Sequence, residues 1–377
     1  MVGHFANTMV GGGNFGSLYP LSTVPLTADW RPFTIGEEKA NPMASLPLLL
    51  LQEPKLIGIA RLASQAESLR QGHQVEYFTL PARSILNRCT SARMPFTWTI
   101  NPYRGCEFAC KYCYARYTHE FMELRDGLEF EQKIFVKQHT ATLLRQELRR
   151  VKPGEEIALG TATDPYQPAE RRFQVTRGIL EELVQHRGLD LGIVTKSDLI
   201  VRDAELLVEI SRYNRLFVNI TITTLNADLA RILEPRAPRP DLRLEALRRL
   251  VAAGVDAGVI CAPVLPDITD APCDLDALVR ATAAAGGKYI FANALFLKPC
   301  SAAMFLPFLE ANFPQLVENY RNRYASRAFL SQAYRKRLSQ LMARLRQKYG
   351  IRREYDRDSR RTHPMGGEEQ MSLAFNC

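Results

Sequence analysis

The chain has 377 residues, a net charge of +9 and a hydrophobic fraction of 46%, which is ordinary for a globular protein with a full apolar core. The apolar run over 46–51 is interrupted by a proline and, like the other apolar runs, is far shorter than the roughly 20 residues that cross a bilayer. No basic segment precedes an apolar run at the N-terminus, and the eight cysteines are scattered unevenly. These features argue against secretion and predict a cytoplasmic protein with no membrane partner.

Residues 1–83 are predicted to form an N-terminal extension. Its first half is rich in Gly, Pro, Ser and Thr with weak periodicity, which indicates a partly disordered leader. A helix is predicted over 55–73, followed by a mixed connector over 75–96.

From residue 97 onward, strand-like runs alternate with helical ones, which predicts an α/β fold over 84–300. The predicted strands are 98–102, 157–162, 191–196, 216–224, 257–262 and 288–294. The predicted helices are 140–151, 176–186, 203–213, 243–253 and 274–285. Six strands joined by helices indicate parallel βαβ units. They fit an incomplete (β/α)6 barrel of the TIM type, and periodicity leaves an open doubly wound sheet as the alternative.

Three cysteines follow the first strand with the spacing C-x3-C-x2-C: Cys106, Cys110 and Cys113. Three thiolates in one short loop can wrap a soft metal centre. They are one ligand fewer than a closed tetrahedral site, so an iron–sulfur cluster held this way keeps one iron open. Two alternatives are a structural zinc site completed by His119 and a disulfide with a spare thiol. The remaining cysteines show no ligand spacing.

The loop over 101–116 resembles the cluster loop of the radical S-adenosylmethionine (radical SAM) superfamily. The resemblance implies that Cys106, Cys110 and Cys113 hold a [4Fe–4S] cluster and that Tyr112 lies beside the adenine of S-adenosylmethionine. In that superfamily one electron from the cluster cleaves this cofactor to a 5′-deoxyadenosyl radical, which abstracts hydrogen from a substrate. It also implies an external electron donor such as flavodoxin or ferredoxin. A cysteine loop after the first strand favours the barrel over the open sheet.

Polar residues follow the other predicted strands, at the edge where parallel β/α folds place their sites. The segments are 160–164, 195–197 and 221–224, and they bring hydroxyls, a lysine and a carboxylate to one rim. A zwitterionic cofactor with many hydroxyls needs such groups.

Several phrases resemble the spore photoproduct lyase-like branch of the superfamily, and the likeness spans 84–300. They are 101–106, 163–170, 195–197, 234–238 and 262–263. The resemblance implies cofactor-binding roles for Tyr112, Gly160, Thr161, Thr163, Lys196 and Thr221. It implies catalytic roles for Tyr112, Tyr114, Asp164 and Lys196.

Within this set, the resemblance places Thr161 and Thr163 near the methionine amino group. It pairs Lys196 with the methionine carboxylate and brings Thr221 to the ribose or the carboxylate. Glu170 and Arg236 match positions without a fixed role. The structural alternatives are a surface lysine at 196 and an arginine at 236 that braces its loop through Glu234.

The chain departs from the lyase in one respect. The lyase has a cysteine on its strand-two segment that returns hydrogen to the thymine product, whereas this chain has no cysteine between Cys113 and Cys261. Cys261 could replace it only with suitable geometry. We therefore expect a related enzyme with a different substrate.

Residues 301–377 are predicted to form a basic helical region and a tail. From 321 to 361 there are fourteen Lys and Arg residues against three Asp and Glu, a one-signed excess that indicates a polyanion such as nucleic acid. An amphipathic helix is predicted over 325–349, and the apolar residues of this helix are Phe329, Ala333, Leu338, Leu341 and Leu345. A disordered tail is predicted over 356–377. Alternatively, this helix closes the open side of the barrel and turns its basic face to water.

These patterns together predict a radical SAM enzyme that acts on DNA or RNA, as a repair lyase-like enzyme or a nucleic-acid modification enzyme. One alternative is a radical SAM enzyme acting on a protein, a peptide or a small metabolite. Another is a nucleic-acid-binding protein with a structural metal site. The substrate, the atom attacked and the oligomeric state are not specified by the sequence.

Overall fold

The computed structural model describes residues 56–72, 75–91 and 94–352. These residues belong to one compact unit. The predicted leader and the predicted tail over 356–377 lie outside the described residues.

The described residues contain eleven strands. In chain order they are β1 (Ser68–Gly72), β2 (Val75–Pro81), β3 (Leu86–Arg88), β4 (Trp98–Ile100), β5 (Tyr103–Arg104), β6 (Lys133–Gln138), β7 (Glu156–Leu159), β8 (Asp190–Thr195), β9 (Arg215–Thr221), β10 (Ala257–Val264) and β11 (Ile290–Ala294).

The same residues contain thirteen α-helices. They are α1 (Gly58–Ser64), α2 (Tyr117–Glu120), α3 (Glu129–Gln132), α4 (Thr140–Glu147), α5 (Glu170–Phe173), α6 (Val175–Leu183), α7 (Ala204–Tyr213), α8 (Ala227–Leu233), α9 (Pro240–Ala252), α10 (Pro272–Ala284), α11 (Pro299–Asn312), α12 (Val317–Tyr324) and α13 (Gln332–Tyr349). Short 3₁₀ segments are Tyr114–Arg116, Leu148–Arg150, Asp198–Asp203 and Pro314–Leu316.

The larger sheet has the strand order β11-β10-β9-β8-β7-β4-β3. Its strands β4 and β7 to β11 are parallel, while β3 pairs antiparallel with β4. All six predicted strands are therefore confirmed. Because β3 and β11 are opposite edges within the described part of the chain, the barrel stays incomplete.

Burial on both faces explains why these strands read as continuous apolar runs. In β7, for example, the consecutive residues Ile157, Ala158 and Leu159 point to alternate faces, and all three are buried. The flanking helices present one apolar stripe to the sheet, as Leu207 and Ile210 of α7 do. The five predicted helices are confirmed, with ends that shift by a few residues. The short helix α8 was not predicted, although Asn226 caps its first turn.

A second, four-stranded sheet with the order β1-β2-β6-β5 was not predicted. The predicted helix over 55–73 is wrong beyond Ser64, where the chain turns into β1. The predicted connector contains β2 and β3. Since β2 pairs in parallel with β6, the sheet crosses the predicted boundary at residue 83.

The C-terminal helix α13 packs against α10 and β11, at the open edge of the larger sheet. It buries Leu338, Met342 and Leu345. The predicted start at 325 is wrong, because the Ser331 hydroxyl caps the helix by accepting from the Tyr334 N–H. Phe329 lies before the helix, and Ala333 is exposed. Among the described residues, the helices are too short or too polar to span a bilayer.

Candidate active site

The cysteine loop follows β5 and is fixed by contacts from several elements. The Cys106 N–H donates to the Phe130 carbonyl at 2.9 Å, and the Lys111 N–H donates to the Leu233 carbonyl at 2.9 Å. The Ser301 hydroxyl donates to the Cys113 carbonyl at 3.1 Å. The loop backbone is therefore fixed by hydrogen bonds to α3, α8 and α11.

Arg116 supports the loop from beneath. Its guanidinium is buried, donates to the Cys110 carbonyl at 3.1 Å and pairs with Glu131 at 2.6 Å. Gly105 lies just before the first cysteine with φ of 83°. A Cβ there would come within 2.6 Å of the Lys133 carbonyl oxygen, so the close packing of this loop against the first residue of β6 requires glycine.

The three thiols lie in one apolar cluster that includes Phe108 and Tyr112. Burial raises the pKa of each thiol, to about 12 for Cys110, and the neighbouring thiols raise it further in Cys106 and Cys110. Such thiols are ionised when a metal replaces their protons.

The three thiols are soft donors of the kind that hold iron–sulfur clusters, and all three cysteines are free of disulfides. Three such ligands leave one iron of a four-iron cube without a protein ligand. The donor set therefore suits a [4Fe–4S] cluster with three protein ligands.

His119 is not positioned as a fourth ligand. Its Nε2 lies 3.1 Å from the Lys133 carbonyl oxygen, and its ring packs edge-on against Phe130 and Phe135. Burial lowers the pKa of His119 from 6.5 to about 4. The side chain is a neutral part of the support behind the loop.

This buried imidazole makes folding stability depend on pH. Between pH 6.5 and about 4, the unfolded chain binds a proton that the folded chain excludes, so the contribution of His119 is lost as the pH falls. A shift of this size corresponds to about 3 kcal/mol of unfolding free energy. Urea titrations at several pH values should show that the unfolding free energy of His119→Gln changes less than that of the wild type between pH 6.5 and about 4. An unchanged slope in the variant would contradict the assignment.

The segment 163–170, after β7, connects the cysteine loop to the C-terminal ends of the neighbouring strands. The Thr163 hydroxyl donates to the Gly105 carbonyl at 2.6 Å. The Gln167 amide donates to the same carbonyl at 3.1 Å and accepts from the Glu107 N–H at 3.0 Å. We name residues 163–170 the rim bracket.

Asp164 connects the rim bracket to the end of β8. Its carboxylate accepts from the Thr195 hydroxyl at 2.6 Å, the Lys196 N–H at 2.7 Å and the Tyr166 N–H at 2.9 Å. Burial raises the pKa of Asp164, while these hydrogen bonds oppose the rise. The predicted catalytic carboxylate thus positions the backbone that carries Lys196.

Behind the cysteine loop lies a buried charge network. Glu234 pairs with Arg243 at 2.5 Å, and both side chains are almost fully enclosed. The Tyr112 hydroxyl donates to Glu234, and the Thr223 hydroxyl donates to the same oxygen at 3.1 Å. The Lys196 ammonium lies 5.8 Å from the centre of the Tyr112 ring. The predicted residues Tyr112 and Lys196 are therefore brought together.

Neighbouring negative charges keep the Lys196 side chain protonated at this position beside Tyr112. Burial alone would lower the pKa of Lys196, but Cys110 and Glu234 outweigh that effect and raise it. The ammonium in turn opposes the rise in the pKa of Cys110. A positive charge beside the thiols of Cys110 and Cys113 and the ring of Tyr112 suits a ligand with a carboxylate.

Sequence comparisons agree with this site. A family model described as the Radical SAM superfamily matches residues 100–279. The uncharacterized protein Rv2578c of Mycobacterium tuberculosis is 37% identical over 279 residues, which are 74% of this chain and 82% of that protein. The chain belongs to the radical SAM superfamily. The uncharacterized protein MJ0683 of Methanocaldococcus jannaschii is 28% identical over 62% of this chain and 83% of that protein.

Solved radical SAM structures share the fold. Spore photoproduct lyase complexed with dinucleoside spore photoproduct superposes with a TM-score of 0.57 at 17% identity, over 80% of this chain and 86% of that one. A lyase variant with bound AdoMet gives a TM-score of 0.56 at the same identity and coverage. The predicted incomplete barrel is confirmed, as are the predicted cofactors, since radical SAM proteins use a [4Fe–4S] cluster and S-adenosylmethionine.

Gly160, Thr161 and Thr221, which were also predicted to bind the cofactor, make contacts that hold the ends of the strands together. Gly160, with φ of 90°, lets the end of β7 approach β8, because a Cβ there would lie 2.5 Å from the Val194 carbonyl oxygen. The side-chain oxygen of Thr161 accepts from the Asn101 amide at 3.3 Å, while the Tyr114 hydroxyl donates to the Thr161 carbonyl. Thr221 is buried at the end of β9, and its carbonyl accepts from Arg243 at 3.2 Å.

Two residues without an assigned role prove to be braces in this radical SAM barrel. Glu170 is fully buried and accepts from Tyr103 at 2.5 Å and from Arg202 at 2.9 Å. The Arg236 guanidinium donates to the Glu131 carbonyl at 3.5 Å. Arg243 forms the buried ion pair with Glu234.

Sequence reasoning missed Arg116, Gln167 and Arg243. The recognised segment 163–170 contains Gln167, and the recognised segment 234–238 contains Glu234, the partner of Arg243. Arg116 lies at the end of the recognised loop. Each missed residue supports a motif that the sequence displayed, although the sequence does not show that these side chains point inward.

Proposed function

We propose that this radical SAM protein cleaves S-adenosylmethionine reductively and abstracts hydrogen from a nucleic acid, either DNA or RNA. The observation that carries the proposal is the convergence of three anchored thiols, Tyr112 and Lys196 in one pocket. The bound cluster and S-adenosylmethionine together supply the radical.

The protein residues have separate tasks in this proposal. Cys106, Cys110 and Cys113 hold the cluster. Lys196 pairs with the carboxylate of S-adenosylmethionine, and the ring of Tyr112, fixed through Glu234, forms one wall of the pocket. The rim bracket fixes the position of the cysteine loop relative to Lys196.

The support for a nucleic acid is the exposed charge of α13. Arg335, Lys336, Arg337 and Arg344 are exposed, and they form no ion pair with another described residue. The Tyr334 hydroxyl donates to Asp270 at 2.7 Å, so the first turn of the helix lies beside the loop that follows β10. Arg335, Lys336 and Arg337, in the first turns of the helix, therefore stand near the rim of the barrel, where a phosphate backbone would reach the proposed site.

The reaction proposed differs from spore photoproduct repair. The segment after β7 carries no cysteine, and the thiol of Cys261 is fully buried in β10, 3.9 Å from the Thr223 carbonyl oxygen. Burial also raises the pKa of Cys261 to about 12. This thiol is enclosed by the core, so we do not assign it to hydrogen return.

The test is an anaerobic assay of 5′-deoxyadenosine. Reconstituted protein would receive dithionite and S-adenosylmethionine, with irradiated DNA, RNA or a peptide mixture, and the product would be quantified by mass spectrometry. We expect nucleic acid to accelerate product formation and added salt to remove the acceleration.

A triple variant examines the polyanion contact. Replacing Arg335, Lys336 and Arg337 with alanine should weaken the salt dependence of binding. The negative slope of log affinity against log salt should become shallower by about 2, because each lost phosphate contact contributes roughly 0.7 to 0.9. The control replaces Arg149 and Lys152, exposed residues before β7 at the opposite end of the strands. Acceleration by peptides alone would overturn the assignment to nucleic acid and favour a peptide substrate.

A further inference from the structure

A row of aromatic side chains lies beside the cysteine loop, on its solvent side. Tyr114, Tyr117 and Phe121 are three and four residues apart, so they share one face of the helical segment that follows Cys113. Tyr114 is 41% exposed and Phe121 is 59% exposed. The rings of Tyr117 and Phe121 lie 5.8 Å apart in an edge-to-face arrangement.

Lys298, at the start of α11, extends this row. Its ammonium lies 3.8 Å from the centre of the Tyr117 ring and 5.9 Å from that of Phe296. Phe296 packs on Phe329 at 4.5 Å. We name these five aromatic residues, together with Lys298, the aromatic ridge. Its lysine is held by rings and forms no ion pair with a described carboxylate.

The aromatic ridge connects two features of the proposed site. At one end the Tyr114 hydroxyl donates to the Thr161 carbonyl, at the rim of the pocket. At the other end Phe329 lies two residues before Ser331, which caps α13, and so close in sequence to the exposed cations of the first turns of that helix. An aromatic surface with one interleaved lysine, Lys298, thus runs from the cysteine loop to the basic helix.

We infer that the aromatic ridge binds unpaired nucleotides by stacking their bases, with Lys298 close to a phosphate. The inference rests on the proposed nucleic-acid substrate and narrows it to a single-stranded or locally opened segment. In a duplex both faces of each base are covered, whereas an unpaired base can stack on a tyrosine or phenylalanine ring whatever its sequence. Phosphates would follow the Lys298 side, since Glu120 and Glu123 flank Phe121.

The experiment compares a single strand with its duplex. Fluorescence anisotropy would follow a labelled mixed-sequence DNA strand, alone or annealed, binding to the anaerobically reconstituted protein. We expect the wild type to prefer the single strand. The variant Tyr117→Ala/Phe121→Ala should lose roughly tenfold or more of that affinity, as expected for lost base stacking, while duplex binding changes little.

The matched control is Tyr213→Ala. Tyr213 is 46% exposed, and its ring lies 4.0 Å from the Arg187 guanidinium, but it ends α7 at the opposite end of the strands. This variant should bind like the wild type. Thermal melting followed by circular dichroism would show that each variant is folded.

Three outcomes overturn the inference, and they are distinguishable. Equal binding of strand and duplex, unaffected by the ridge variant, rejects stacking and leaves a nucleic-acid substrate in place. An equal loss in Tyr213→Ala shows that the ridge is not special. Absence of binding to either form by the wild type rejects the nucleic-acid proposal as well.

Discussion

Arg243→Met should lower the unfolding free energy by about 3–5 kcal/mol, the cost of leaving one partner of a buried ion pair uncompensated. Arg243 and Glu234 form that pair behind the cysteine loop, with 1% and 0% of their side chains exposed. The loss would also free the Tyr112 hydroxyl from a fixed acceptor. Chemical denaturation of the anaerobic protein would measure the effect.

The same helix provides the control for this prediction. Arg248 pairs with Glu245 at 2.6 Å, but these side chains are 61% and 47% exposed. Exposed pairs contribute about 0–1 kcal/mol, so Arg248→Met should be nearly neutral. The double variant Arg243→Met/Glu234→Met should recover part of the stability, because it removes the stranded charge. Equal effects of Arg243→Met and Arg248→Met would contradict the role of burial.

Cys110→Ala should abolish iron retention and 5′-deoxyadenosine formation while the barrel stays folded. Two remaining thiolates leave two irons of the cube without protein ligands. The predicted readouts are iron and sulfide per protein, visible absorbance and product by mass spectrometry. Gel filtration and circular dichroism would show whether the fold persists.

Cys261→Ala is the matched control, since both thiols are buried and burial raises the pKa of each to about 12. Both thiols lie near Glu234, but of the two only Cys110 also lies near Lys196. The control should keep its iron and its activity. Global unfolding of Cys110→Ala, with the wild type holding one non-iron metal, would instead favour a structural site.

The larger sheet was predictable because its strands carry runs of Val, Ile and Leu that only a buried parallel strand explains. The second sheet was not, for a physical reason. β6 has a three-residue apolar core, Ile134 to Val136, between charged residues, and its partner β2 lies more than fifty residues earlier. Pairing over such a separation leaves no local signal.

The site was predictable where chemistry requires a particular residue type and not where packing decides. Three cysteines at fixed spacing identify the loop, and a lysine after a strand identifies the pocket. Arg243 lies among exposed arginines of α9, so its burial is invisible without the fold. Thr163 was predicted near the methionine amino group and Asp164 as a catalytic residue; the sequence does not show that their side chains also bond to Gly105, Thr195 and Lys196.

The rim bracket limits how this catalytic scaffold can diversify. One stretch of eight residues, 163–170, sets the positions of both the cysteine loop and the lysine of the pocket. An insertion or deletion there would displace both halves together, and a compensating change in either alone could not restore their spacing. The proposed substrate surface is free of this constraint, since Phe296, Lys298 and Phe329 stand on segments that the bracket does not touch.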